Sequence, residues 1–151
     1  NVGDDALKDL DLAYAPPYAS AKDPVNLVGF MAENLEQGVV KQFHWEDVAG
    51  LPRDGSVTLL DVRIPEEYAA GHIDGFFNLP LDSLREHLRQ LDPAKKAYVI
   101  CQSGLRSYLA CRILAQNGID CFNFSGGFRF YRMQAEEAPA ARQSRPCGME
   151  P

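Results

Sequence analysis

Apolar residues fall in two rhythms along this chain. Between residues 25 and 37 they recur three or four apart, at Leu27, Val28, Met31, Ala32 and Leu35. That spacing lines one face of a helix, and Gly38 marks its end. From about Val40 the pattern changes to short apolar runs set between helix-forming segments. Residues 57–60, 76–78, 97–100 and 120–124 read as four strands. Helices are expected over 65–70, with proline in the first turn; over 81–88, with Asp82 or Ser83 near its start; over 107–117, ahead of Gly118; and from Gly127 to about Ala135. Residues 44–48 read as a short helical turn before a loop at 52–55. Pro16, Pro17 and Pro24 forbid a continuous helix over residues 1–24. Residues 136–151, rich in proline and charge, are expected to form a mobile tail.

Short apolar strands separated by helices imply an α/β class with a parallel sheet covered on both faces. In such sheets ligands sit at the carboxyl ends of the strands. Two strand ends here carry reactive-looking residues. Asp61-Val62-Arg63 follows one, and Cys101 follows another.

Composition narrows the class further. The 151 residues are 46% hydrophobic, enough for one domain with a core and some extra segments. Net charge is -6 and no basic cluster occurs, so neither nucleic acid nor a membrane surface is an expected partner. No apolar run approaches the length of a membrane span, and no signal-peptide pattern opens the chain. The four cysteines, Cys101, Cys111, Cys121 and Cys147, show no CxxC pairing and no histidine at metal spacing, so no metal site is expected. Free thiols and a cytoplasmic location are the expectation. The chain begins at Asn1 without Met, as a piece of a longer protein would.

The stretch VICQSGLRS, residues 99–107, poses the chemical question. A lone cysteine is usually a small buried hydrophobe. Here Cys101 ends a strand, Ser103 and Gly104 let the backbone curl, and Arg106 stands before a helix. Inward-pointing amides, a helix N-terminus and a guanidinium all favour a thiolate over a thiol. A thiolate is a competent nucleophile. The reading requires a sulfur that is both charged and reachable from solvent. Cys111 within a helix and Cys121 within a strand lack this setting, so core packing explains them. Cys147, in the tail, is a bystander.

Several motifs, in order, resemble rhodanese-type sulfurtransferases. Leu60-Asp61-Val62-Arg63 through Glu67-Tyr68, then Gly71-His72-Ile73-Asp74-Gly75, then Asn78-Leu79-Pro80, is similar to their first signature. Cys101-Gln102-Ser103-Gly104-Leu105-Arg106-Ser107 resembles their active-site loop, and Ser125-Gly126-Gly127 their closing turn. The resemblance implies a rhodanese-like fold, a five-stranded, mostly parallel sheet with helices on both faces. It implies that Cys101 takes sulfane sulfur from a small-molecule donor and passes it to a thiol acceptor. Backbone amides of residues 102–107 would cradle the added sulfur, and Arg106 would steer an anionic donor. Gln102, Ser103, Gly104, Leu105 and Ser107 would line the substrate site. Asp61 and Arg63 would brace it most closely, and Glu67 and His72 would brace loops around it. The Cys-x4-Arg spacing resembles the sulfurtransferases, whereas phosphatases of this fold carry Cys-x5-Arg. A cysteine-dependent phosphatase and a catalytically silent docking or regulatory module are the alternatives.

The front of the chain resembles something else. Asp11 to Tyr18 and Ala21 to Asn26 are similar to the end of the dimerisation domain in FAD-dependent pyridine nucleotide-disulfide oxidoreductases of the coenzyme A-disulfide reductase type. Some of those carry a rhodanese domain at the carboxyl end. The implied organisation is residues 1–38 as the end of that domain plus a linker helix, 39–135 as the rhodanese domain, and 136–151 as the tail. Tyr14 and Tyr18 become candidates for the parent active site. No GxGxxG turn follows a strand, so this piece itself is expected to bind no cofactor. FAD, NAD(P)H and coenzyme A would belong to the reductase domains of the parent chain.

Overall fold

In a computed structural model, residues 7–11 and 23–141 are described, with side chains up to Ala135. The chain divides into two compact units, Asn1–Lys41 and Gln42–Pro151.

The first unit contains helix α1, Pro24–Glu36. The Asp23 carboxylate accepts the Val25 N–H at 2.8 Å, and proline occupies the first turn, where its missing N–H costs nothing. The helix stands where its periodicity put it, but the buried residues are Asn26 and Gly29. The Asn26 amide donates to the carbonyls of Leu7, Lys8 and Leu10 at 3.0, 3.2 and 3.1 Å. Leu27, Val28, Met31 and Leu35 are exposed. Periodicity tells which residues share a face, not that the face points inward. Tyr14 and Tyr18 lie outside the described residues.

The second unit is built on a five-stranded sheet in the order β1-β5-β4-β2-β3. Its strands are β1 (Lys41–Phe43), β2 (Thr58–Asp61), β3 (Phe77–Asn78), β4 (Ala97–Ile100) and β5 (Cys121–Phe124). The pairings of β2 with β3, β2 with β4 and β4 with β5 are parallel. The helices are α2 (Pro65–Ala69), α3 (Leu81–His87), α4 (Leu105–Gln116) and α5 (Gly127–Ala141). Successive strand residues point to opposite faces, and two cores result. On one face Leu60, Val99 and Cys121 pack with Leu84 of α3 and Ala110, Ile113 and Leu114 of α4. On the other, Leu59, Ile100 and Phe124 pack with Phe43, Val48 and Phe76, against Phe128 and Tyr131 of α5. Truncating Leu114, fully buried, to alanine would cost about 2–5 kcal/mol.

Two local expectations need correction, the missing first strand and the end of the last helix, and two hold. β1 was absent from the strand reading because Lys-Gln-Phe offers one buried residue in three. Residues 45–50 form a 3-10 segment, the short helical turn expected there. α3 starts behind Pro80 with Asp82 and Ser83 in its first turn, as expected, and the Ser83 hydroxyl donates to the Pro80 carbonyl at 3.1 Å. α5 runs to Ala141, so residues 136–141 are helical rather than part of a mobile tail. Residues 142–151, with Cys147, lie outside the described residues.

The strand order places a topological switch. β2 leads outward to β3 on one side, and β4 leads to β5 on the other. A crevice is expected at the carboxyl ends of β2 and β4, where the chain reverses direction across the sheet. Asp61 closes one of those strands, and Cys101 follows the other.

Candidate active site

Cys101 is the first residue after β4, and its sulfur has two donors among the described residues. The Gly104 amide lies 3.1 Å from Sγ and the Ser107 hydroxyl 3.2 Å. Gly104 adopts φ 105, a left-handed conformation that turns its N–H back toward the sulfur and starts α4 at Leu105. The helix therefore begins two residues earlier than the sequence suggested. The expected cradle of several amides from residues 102–107 is narrower: one loop amide and one hydroxyl reach Sγ.

α5 fixes this loop from below. The N–H groups of Phe128 and Arg129 donate to the carbonyls of Cys101 and Gln102 at 2.8 and 3.1 Å. Gly127 sits so close that a Cβ there would stand 2.6 Å from backbone atoms of Gln102 and Ser103. The Ser-Gly-Gly turn thus serves the Cys101 loop by close backbone approach.

Asp61 and Arg63 form a dry ion pair at the end of β2, 0% and 1% exposed. Arg63 Nε and Nη2 meet the Asp61 carboxylate at 3.0 and 2.7 Å. The same guanidinium donates to the Gly71 carbonyl at 2.7 Å and to Gln102 Oε1 at 3.3 Å, and lies 4.0 Å over the Phe128 ring. These two residues touch the site through Gln102; they hold the loop rather than present a charge to solvent.

Arg106 is held as well. Its guanidinium makes two bonds to the Glu67 carboxylate, at 2.7 and 2.8 Å. Hydrogen bonding from Arg106 holds the Glu67 carboxyl below its ordinary range, against a modest cost of burial. Glu67 in turn raises the Arg106 value, with a smaller contribution from Cys101. A cation expected to meet an anionic donor is already paired, because α2 brings Glu67 opposite the first turn of α4. Glu67 also accepts the Ile64 N–H at 3.2 Å.

The larger correction concerns access. Cys101 is 0% exposed, whereas a reachable sulfur was expected. Cys101 belongs to the apolar core that holds Leu60, Val62, Ala110 and Cys111. In the loop that follows it, Ser103 and Leu105 are exposed and Gly104 and Arg106 half-buried.

His72 stacks on Tyr68 with ring centroids 4.0 Å apart and bonds to the Tyr68 carbonyl at 3.1 Å, a bracing role. Cys111 and Cys121 are buried against each other. Hydrogen bonding to Cys121 and burial push the Cys111 thiol far up, which leaves it protonated and a poor nucleophile. The residue that sequence reasoning missed is Asn123, whose amide donates to the Gly104 carbonyl at 3.3 Å. Its signal was a polar residue amid the apolar run Cys-Phe-Asn-Phe.

The family model for the rhodanese-like domain matches residues 44–134. Among solved structures, the chain is similar to reduced Bacillus anthracis CoADR-RHD, with 44% identity and a TM-score of 0.79, over 87% of this chain and 23% of that one. It is similar to a NAD-dependent persulfide reductase from A. fulgidus, with 34% identity and a TM-score of 0.67, over 84% and 22%. Among curated proteins, the uncharacterized protein YqhL of Bacillus subtilis (strain 168) is 39% identical over 72 residues, 47% of this chain and 57% of that protein. The chain thus spans little more than half of that curated relative and under a quarter of either solved chain.

Proposed function

The chain belongs to the rhodanese-like domain family, and from that premise we propose that its second unit carries sulfane sulfur as a persulfide on Cys101. The observation behind this reading is the pair of donors on Sγ, Gly104 N–H and Ser107 Oγ–H, at the end of a central parallel strand. Hydrogen bonds to a charged sulfur are the stronger kind and suit a nucleophile.

With thiosulfate as donor, the Cys101 thiolate attacks the outer sulfur. An Sγ–S bond forms, the S–S bond of thiosulfate breaks, and sulfite leaves with the electron pair. In the second half, an acceptor thiolate attacks the outer sulfur of the persulfide. A new S–S bond forms on the acceptor, the Sγ–S bond breaks, and Cys101 returns as thiolate. No net oxidant is needed. Both halves require the site to open, because Cys101 is fully buried.

The likeness to CoADR-RHD and to the persulfide reductase supports a wider proposal. This unit would be the carboxyl-terminal part of a FAD- and NAD(P)H-dependent reductase of coenzyme A disulfide, persulfide or polysulfide. The sequence has no GxGxxG turn after a strand, so the dinucleotide sites fall to the reductase domains.

Intact mass after treatment with thiosulfate or polysulfide tests the reading. The expected result is a gain of one sulfur atom that Cys101→Ser abolishes. The complete burial of Cys101 favours a second reading, a silent docking module, and absence of any adduct on the folded protein would favour that one over sulfur transfer.

A further inference from the structure

We propose that Asn123 is a positioning residue for Cys101: by occupying the Gly104 carbonyl, it frees the Ser107 hydroxyl to donate to the sulfur. The inference rests on Cys101 being the sulfur carrier, and it concerns a residue that makes no hydrogen bond to the sulfur.

Ser107 Oγ lies between two acceptors, Cys101 Sγ at 3.2 Å and the Gly104 carbonyl oxygen at 3.1 Å. A hydroxyl has one proton and cannot serve both fully. The carbonyl oxygen has two lone pairs. The Tyr108 N–H takes one at 3.0 Å, as the first turn of α4 requires. The Asn123 amide takes the other at 3.3 Å. With both sites filled, the Ser107 proton is directed at sulfur.

The orientation of Asn123 follows from chemistry. A flipped amide would set its oxygen against the Gly104 oxygen, two acceptors face to face. The unflipped amide leaves Oδ1 buried with no partner, the one such side-chain atom among the described residues. An orphaned acceptor costs stability, and an apolar residue on this buried strand would avoid it. The arrangement therefore favours the loop over the strand's own packing.

The charged and titratable groups around the sulfur are Arg106 and Cys111 on α4 and the Asp61–Arg63 pair at the end of β2. Substituting Asn123 removes none of them. The test is the pH profile of iodoacetamide alkylation, read by mass spectrometry on the peptide carrying Cys101. Loop opening sets the plateau rate, and ionisation sets the midpoint, so the two separate. Asn123→Ala is expected to move the midpoint to higher pH by about 0.5–1 unit, the size of one ordinary hydrogen bond. Ser107→Ala is expected to move it equally, and the double variant no further. Asn123→Leu, of nearly the same shape, repeats the measurement where alanine loosens the strand.

An unmoved midpoint in both Asn123 variants, or shifts that add in the double variant, overturns the proposal and makes Asn123 a packing residue. Sulfur loading is measured alongside. Non-additive midpoint shifts with no sulfur adduct would remove the transferase reading while leaving Asn123 in its role. An adduct with unmoved midpoints would do the reverse.

Discussion

Two arginines face the Cys101 loop, and each is met by a carboxylate two or more residues away in sequence, but the solvent around them differs. Arg63 and Asp61 are buried, so breaking that pair leaves a dry charge without its bonded carboxylate. Asp61→Ala is expected to cost about 3–5 kcal/mol in urea unfolding. Arg106 and Glu67 keep 32% and 28% of their side chains exposed, and such a pair contributes about 0–1 kcal/mol. Its pH dependence has a definite sign. Arg106 depresses the Glu67 value in the folded state, so the stabilisation is present above the unfolded value of 4.5 and is lost as pH falls through the folded one. Glu67→Gln should therefore lower the melting temperature slightly at pH 7 and by less at pH 3. Equal loss at both pH values would mean that packing, not charge, is what Glu67 supplies.

At the level of elements, the turn from β5 into α5 controls the loop. Gly127 has φ +67 and no room for a Cβ against Gln102 and Ser103, so Gly127→Ala meets strain and a backbone clash together. It should cost about 1–3 kcal/mol and slow sulfur loading, because relief of the clash displaces the Cys101 loop. Gly118→Ala, at φ +78 with nothing nearby, carries the strain without the clash and should leave loading unchanged. Loading impaired equally by both would put the effect down to general loosening. These contacts mark what was legible in the chain. Four strands and the helices between them were readable because β2, β3, β4 and β5 are apolar runs between clear stops. The first strand was not, since its membership depends on pairing beside β5. The Cys101 loop was readable as residues in a row. The pairing of Arg106 with Glu67, the hold of Asn123 on Gly104 and the depth of Cys101 were not, because each depends on which strand ends meet.

For the molecule as a whole, the question is where cooperativity resides. Both apolar cores of the second unit draw on residues from Phe43 onward, and none comes from α1. α1 buries an asparagine and a glycine and exposes Val25, Leu27, Val28, Met31 and Leu35. Such a segment adds little of the apolar burial that drives folding. A chain starting at Val39, with β1 intact, should then melt in one cooperative transition close to that of the parent, and its Cys101 should alkylate with the parent's pH midpoint. It should also be more soluble, since an exposed apolar stripe has been removed. Loss of the cooperative transition on removing residues 1–38 would mean that the second unit needs the first to fold. In that case α1 would be a structural part of this fold rather than the linker that its sequence suggests.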